Sequence, residues 1–255
     1  MHEIVIVFLC NRQYLSRFLK TYHQLRKNGQ YTGDVILIVG NDLKNYKYDN
    51  IKVVYFEDLK FSDQFYQIND TIKSNGSHLS KRFQWHKLNI FRQLVTNKWI
   101  FYLDCGIKIH QNIEPMIKMI HTLSHDKFHL HSDAYPTYEW RLFDQFDQTN
   151  RVFQTLQNDY NLDVDYPQTT IMVFRSELVD DQLYDDLIKL TEQYPISRTN
   201  DQGIIALYLT SRGLWEQIPM LDTDKTIFYY DYLQRDVGTA GVAVGAANKY
   251  IMNKF

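Results

Sequence analysis

Four short runs constrain this chain more than any other feature: "EIVIVFL" (3–9), "DVILIVG" (34–40), "IKVVYF" (51–56) and "KWIFYLD" (98–104). Apolar residues occupy both faces of each extended run, a pattern that suits parallel strands covered by helices on both sides. Between the first two lies "RQYLSRFLKTYHQLRKNG", which sets Tyr14, Phe18, Tyr22 and Leu25 at helical spacing and ends on Gly29, a helix stop. Between the third and fourth, Phe83, Leu88, Phe91, Leu94 and Val95 make a similar stripe. This alternation predicts βαβ units and hence an α/β fold: a Rossmann-like, mostly parallel central sheet flanked by helices.

The second half changes character. A short helix opens at Pro115, "KFHLHSD" reads as a strand, and "YEWRLFDQFDQTNRVFQTLQNDY" reads as one long helix. "QTTIMVFRS" is a strand, "DDQLYDDLIKLTEQY" and "NDQGIIALYLTSRG" are helices, "LWEQIP" is a strand, and an irregular tail holds "GTAGVAVG". No internal repeat or low-complexity linker interrupts the pattern, and five prolines leave little for extended linkers. One domain over 1–255 is expected, with halves 1–110 and 111–255 sharing a continuous sheet.

With 255 residues, 44% of them hydrophobic, the chain can bury a full core. Its 28 basic and 30 acidic residues leave a net charge of −2, too little field to draw in nucleic acid or an anionic membrane. Cys10 and Cys105 are too few for a disulfide scaffold and lack zinc-site spacing, so a reducing, cytoplasmic setting and free thiols are expected. "IVIVFL" is too short for a signal peptide, and no stretch reaches the roughly 20 apolar residues of a membrane span. A soluble chain without integral membrane contact is expected.

Ligands of open α/β sheets bind beyond the carboxyl ends of the strands. Asp104, placed where the apolar run "WIFYL" stops, is the leading candidate there; Cys10 and Asn11 follow the first strand, and Asn41 and Asp42 the second. Each of these polar residues could equally just begin a loop.

The strand ending "YLD", the basic segment "KRFQWHKLNIF" before it, the later strand "TTIMVF" and "NDQGIIALYL" before "WEQIP" together resemble the landmarks of GT-A-type glycosyltransferases, nearest to the family 8 group. The resemblance implies transfer of a sugar from a nucleoside-diphosphate donor, UDP-sugar first, to an acceptor hydroxyl. The first half would bind the nucleotide, through Cys10, Asn11, Asp42, Lys87, Asp104, Cys105 and Gly106, and the second half would shape the acceptor site. It further implies a D-x-D element that contacts ribose and holds Mn2+ or Mg2+ on the diphosphate, because a leaving nucleotide gains negative charge as the glycosidic bond breaks. Here the element reads Asp104-Cys105-Gly106, without its second carboxylate, and no histidine follows His131 to complete a metal site. Metal, if used, would be held weakly by Asp104 with at most one late carboxylate, Asp222 or Asp224; alternatively Lys81, Arg82, Lys87 or Lys225 neutralises the diphosphate.

"HLHSDAYPTYEWRLFDQ" mixes carboxylate, histidine and aromatic residues as a sugar site does, with His131, Asp133 and Tyr138 as its candidates and Trp140, Leu142, Phe143 and Phe146 as core. "HLHSD" lacks the partners for a tetrahedral metal set. In "ISRTNDQGIIALYL", Thr199 and Gln202 have capping-box spacing. The resemblance puts Asn200, Asp201 and Gln202 near the donor's reacting carbon, with Asp201, ionised at a capped helix start, as catalytic residue and Asp133 as the competing base. A non-catalytic nucleotide-sugar or carbohydrate-binding module is the rival reading. A sugar nucleotidyltransferase would need a Gly-rich loop that "FLCNRQYLS" lacks, and no early G-x-G-x-x-G supports a dinucleotide enzyme.

Overall fold

All seven residues of β1 (Ile4–Cys10) are buried. Val5, Val7 and Leu9 join one apolar cluster while Ile4, Ile6, Phe8 and Cys10 join another, so the two-residue side-chain period divides a single strand between two cores. Each aliphatic or aromatic side chain so buried contributes roughly 1.5–3 kcal/mol. The computed structural model describes residues 3–72, 81–134, 139–219, 227–230 and 250–253. Its further strands are β2 (Asp34–Val39), β3 (Lys52–Tyr55), β4 (Trp99–Leu103), β5 (Lys108–Ile109), β6 (Phe128–Ser132), β7 (Pro167–Arg175), β8 (Trp215–Gln217), β9 (Ile227–Tyr230) and β10 (Tyr250–Asn253). Seven of them form one sheet in the order β3-β2-β1-β4-β7-β6-β8; β5, β10 and β9 form a smaller one.

Helices cover both faces of the large sheet. They are α1 (Leu15–Lys27), α2 (Asp63–Asn69), α3 (Lys81–Gln84), α4 (Glu114–Ile120), α5 (Val152–Asp159), α6 (Asp181–Gln193) and α7 (Asp201–Ser211). Helix α1 buries Phe18, Tyr22 and Leu25 of the predicted stripe against the cluster that holds Phe8 and Cys10. It stops at Gly29, whose amide reaches Gln24 O at 3.0 Å and where a Cβ would fall 2.6 Å from Leu25 O. Helix α7 is apolar around most of its girth, with eight of its eleven residues buried, and forms the inner wall of the other cluster. Among the described residues no helix is long and apolar enough to cross a membrane.

Strands β2, β1 and β4 run parallel, and the chain moves outward from β1 to β2 and β3 before returning to place β4 on β1's other side. That reversal opens a crevice at the carboxyl ends of β1 and β4. Strand β7 then pairs antiparallel with β4 over five registered positions, from Trp99↔Arg175 to Leu103↔Ile171, which brings its amino end to the same edge. The expected neighbours β1 and β4 and the single sheet shared by both halves are present.

Two expected helices differ. The stripe before β4 winds as a 3-10 segment over Trp85–Phe91, with all seven residues buried. Asn89 Nδ2 donates to His86 O at 3.0 Å and the Arg92 amide to Asn89 O at 3.2 Å, short-range bonds that compete with α-helical pairing. The long helix expected over 138–160 shrinks to α5. Asp147 and Asn150 take the amides of Thr149 and Val152 in tight local turns, while the amides of Leu142 and Phe143 go to Val164 and Leu162 across the chain. Leu142 and Phe146 are core, as expected; Trp140 and Phe143 pack partly buried against it.

Candidate active site

Three charges from three elements meet at the carboxyl edge between β1 and β4. Lys87, on the 3-10 segment and only 8% exposed, sets its Nζ 3.0 Å from Asp104 Oδ1 and 3.3 Å from Asp201 Oδ2. It also reaches Thr169 Oγ1 at 3.2 Å and lies 5.4 Å from the centre of the Tyr102 ring. Burial works against the ammonium, but the charges of Asp104 and then Asp201 more than offset it and hold Lys87 above its ordinary range. Asp104 also accepts the Tyr102 hydroxyl at 2.6 Å, and its backbone amide donates to Thr170 O at 3.0 Å, locking the end of β4 to β7. The phenol, desolvated and beside that carboxylate, is pushed far up and stays protonated.

Asp201 opens α7 at 4% exposure. Burial raises its carboxyl above the usual range, with Lys87 pulling the other way. The expected helix cap by Thr199 is not formed: the Thr199 hydroxyl donates to Gln145 Oε1 at 2.6 Å, and the cap position is Asn200, without a side-chain cap bond. Asn200 sits at φ 54° and ψ −123°, a conformation that costs a non-glycine residue on the order of 1–3 kcal/mol. It is held there by Ser197 Oγ, which donates to its carbonyl at 2.6 Å, and by its own amide on Gln84 Oε1.

A hydrogen-bonded network around Asp133 adjoins the charged group. Gln202 Nε2 donates to Gln145 Oε1 at 3.0 Å and Asp133 Oδ2 at 3.3 Å, while its Oε1 receives the Thr169 amide at 3.4 Å. The Tyr166 hydroxyl donates to Asp133 at 2.9 Å and receives from Gln145 at 2.8 Å; burial first, and Asp133 second, keep that phenol protonated. Lys87, Tyr102, Asp104, Thr169, Asp201 and Gln202 all line one cleft of about 230 Å³.

The expected residues divide by this geometry. Lys87, Asp104, Cys105, Asp201 and Gln202 converge on the cleft, and Asp133 and Asn200 hold residues that line it. Cys10 is wholly buried and turned into the core; Asn11 caps the turn after β1 through the Tyr14 amide at 3.0 Å. Asp42 lies exposed, taking the Arg12 amide at 2.8 Å away from the cleft. His131 is a buried core histidine against Gln168 Nε2 at 3.0 Å, which corrects its expected place in the sugar site. Arg82 is turned to Asp70 at 2.8 Å. Tyr138, Asp222, Asp224, Lys225 and the Lys81 side chain lie outside the described residues. Cys10 and Cys105 are free and adjacent; contact with Cys10, then burial, raises the Cys105 thiol well above its ordinary range. Sequence reasoning missed Tyr102, Gln145, Tyr166 and Thr169. Tyr102 was within reach, because two residues before Asp104 on a strand is the same face.

The described donors do not fit a divalent metal. Asp104 Oδ1 already takes an ammonium and a phenol, the Cys105 thiol is engaged with Leu9 O at 3.0 Å, Gly106 offers no side chain, and among the described residues no three His, Cys, Asp or Glu are grouped to hold an ion.

No family model and no curated protein matches the sequence. Among solved structures, the chain is similar to the galactosyltransferase LgtC in complex with donor and acceptor sugar analogs, at a TM-score of 0.61 and 11% identity over 98% of this chain and 86% of that one. It is also similar to the bifunctional glycosyltransferase WbbM (TM-score 0.57, 12% identity, 100% of this chain and 46% of that one) and to the glycosyltransferase GlyE of Streptococcus pneumoniae TIGR4 (0.51, 11%, 85% and 45%). An active-site mutant of LgtC, glutamine to glutamate, matches as well (0.58, 12%, 90% and 76%). The sheet order, the switch point beside Asp104 and these likenesses agree: the chain has the GT-A fold of glycosyltransferases.

Proposed function

We propose that this chain is a glycosyltransferase that moves a hexose or pentose from a nucleoside-diphosphate donor, UDP-sugar first, to a hydroxyl of a glycan or other acceptor. The observation that carries the reading is the Asp104–Lys87–Asp201 group, facing a cleft at the β1/β4 switch point with Gln202 beside it. Asp104, whose side chain is 31% exposed, is the group open enough to accept ribose hydroxyls. Asp201 and the Gln202 carbonyl place negative potential on the cleft wall, suited to the positive charge that develops at an anomeric carbon as its bond to the leaving oxygen lengthens. Asp201 is only 4% exposed and its Oδ2 is engaged by Lys87 and the Thr169 hydroxyl, so it lacks the open reach to an acceptor hydroxyl that general-base work requires, and stabilisation of that charge fits it better. Asp133, held by Tyr166 and Gln202, is the base if the reaction inverts. That a glutamine belongs to the active site of LgtC supports looking to Gln202. A reducing, cytoplasmic setting, which keeps the adjacent thiols of Cys10 and Cys105 apart as thiols, completes the reading.

The test is a panel of UDP-, GDP- and other nucleotide sugars, read by release of the nucleoside diphosphate and by calorimetric binding. Turnover of at least one donor is expected. Binding without turnover across donors and acceptors would favour the binding-module reading, to which the incomplete D-x-D element already lends weight.

A further inference from the structure

We infer that Arg17, Lys20 and Lys108 hold the donor's diphosphate, in a hollow beside Asp104, and do the work that a metal ion does where the D-x-D element is complete. This rests on the reading of the cleft as a nucleoside-diphosphate site. The first ground is charge. Lys87 is the cation of the cleft floor, but it is clasped by two carboxylates, so that group with all its members ionised carries one more negative than positive charge. A diphosphate cannot settle there without cations from elsewhere, and the described donors do not assemble a metal site.

The second ground is position. A hollow of about 330 Å³ shares Asp104 and Cys105 with the cleft and is lined by Arg17, Lys20 and Lys108. Gly106, which stands where the second carboxylate of a D-x-D element would be, has φ +102°, and the nearest heavy atom to a Cβ built on it is Arg17 Cδ, 3.8 Å away. The space that the missing carboxylate would enter therefore opens onto the stem of an arginine. The Arg17 guanidinium carbon lies 5.3 Å from the centre of the Tyr14 ring, and Tyr14 itself lines the cleft, so the guanidinium stands at the join of the two spaces. A planar fork of donors at that point can engage two phosphate oxygens at once.

The third ground is construction. Arg17, Lys20, Thr21 and Gln24 occupy one face of α1 at i, i+3, i+4 and i+7. Thr21 Oγ1 donates to Ile107 O at 2.8 Å and receives the Gly106 amide at 3.2 Å, and Gln24 Oε1 receives the Ile109 amide at 3.1 Å. The two neutral residues of that face thus pin the Asp104–Ile109 segment to α1 and fix its distance from the two cations. A solvated helix face would account for either cation alone. It does not account for basic residues of two separate elements converging on a hollow bounded by the ribose-binding candidate.

Calorimetry on the full chain decides it. UDP is titrated with EDTA and, separately, with manganese, into the wild type, Arg17→Ala/Lys20→Ala and Arg17→Lys; uridine is titrated in parallel. The expected result is a Kd for UDP that agrees within about twofold with and without metal. The double variant should weaken UDP by about tenfold or more while leaving uridine unchanged, with partial recovery in Arg17→Lys. Both side chains are exposed, and an unchanged melting temperature confirms folding. UDP binding that appears only with manganese, or survives intact in the double variant, overturns the inference and leaves the donor-site reading standing. No binding of UDP under either condition overturns the inference, and no binding of GDP as well, in the same titrations of the wild type, overturns the donor-site reading with it.

Discussion

Asp104 and Asp201 carry the same charge and share one ammonium, yet they are built in opposite ways. Asp104 ends a regular strand, keeps part of its carboxylate open to the cleft, and leans on one cation and one phenol. Asp201 is sealed, follows a residue in a costly backbone conformation, and depends on contacts from the 3-10 segment and β7. A carboxylate at a strand end costs little to place and is free to meet a ligand. One folded into the core costs desolvation and is worth that cost only where a fixed charge is needed, which supports separate duties for the two: nucleotide contact for Asp104, electrostatic stabilisation for Asp201.

The harshest way to break this comparison is Lys87→Met, which leaves two carboxylates facing one another. A loss of about 3–5 kcal/mol in urea-denaturation stability at pH 7 is expected, because a buried charge group loses its counter-charge. Its pH dependence follows in sign. The folded-state pKa of Lys87 is raised, so its stabilising contribution is complete below the unfolded value near 10.4 and disappears as pH climbs through the folded one. Alkaline stability profiles of the wild type and Lys87→Met should therefore converge above that value. If the variant matched the wild type at pH 7, the ion group would be an ornament of the surface.

Next in size is the contrast between Asp201→Asn and Asp104→Asn. The former should cut turnover about a hundredfold and cost about 1–3 kcal/mol of stability, the second because a buried, bonded carboxylate is replaced. Its raised pKa gives this variant a second signature: between about pH 4 and the folded pKa the native wild type binds a proton that the unfolded chain releases, so wild-type stability falls as pH rises through that window and the variant's does not. Asp104→Asn should instead weaken UDP about tenfold with a smaller effect on turnover and a stability change near 1 kcal/mol. Equal kinetic profiles for the two would erase the division of labour. The smallest effect sharpens the description of the buried side. A double-mutant cycle on Thr199→Val and Gln145→Leu should give a coupling of about 0.5–1 kcal/mol, since Thr199 bonds Gln145 and does not cap α7; no coupling would return Thr199 to the helix cap.

The same contrast explains what could be read from the chain directly. Strands β1, β2 and β4 announced themselves because residues buried on both faces leave runs of five or more apolar positions, and Asp104 was conspicuous as the residue that stops one. The direction of β7 carries no such mark. Thr169 and Thr170 look like ordinary strand residues until antiparallel pairing with β4 brings this end of β7 to the cleft, which both line. Around α7, capping-box spacing pointed to a local bond between Thr199 and Gln202, but Gln145, more than fifty positions earlier, offered Thr199 a better partner. His131 was drawn into the sugar site by its neighbours in sequence, although Gln168 on β7 satisfies it inside the sheet. Helical patterning over 140–150 was real as apolar spacing and was overruled by Asp147 and Asn150, whose short side chains capture nearby amides.

The pairing of β4 with β7 also has a mechanical meaning. Five consecutive registered positions tie the strand that leads into Asp104 to the strand that carries Thr169, and the Asp104 amide extends the seam by one more bond to Thr170. The two sides of the cleft floor are thus one welded plate, and no jaw-like rotation about that seam can widen or narrow it. Whatever ligand arrives must find the spacing of its contacts set in advance, which spares it the entropy of ordering them and makes the floor a fixed ruler for molecular length.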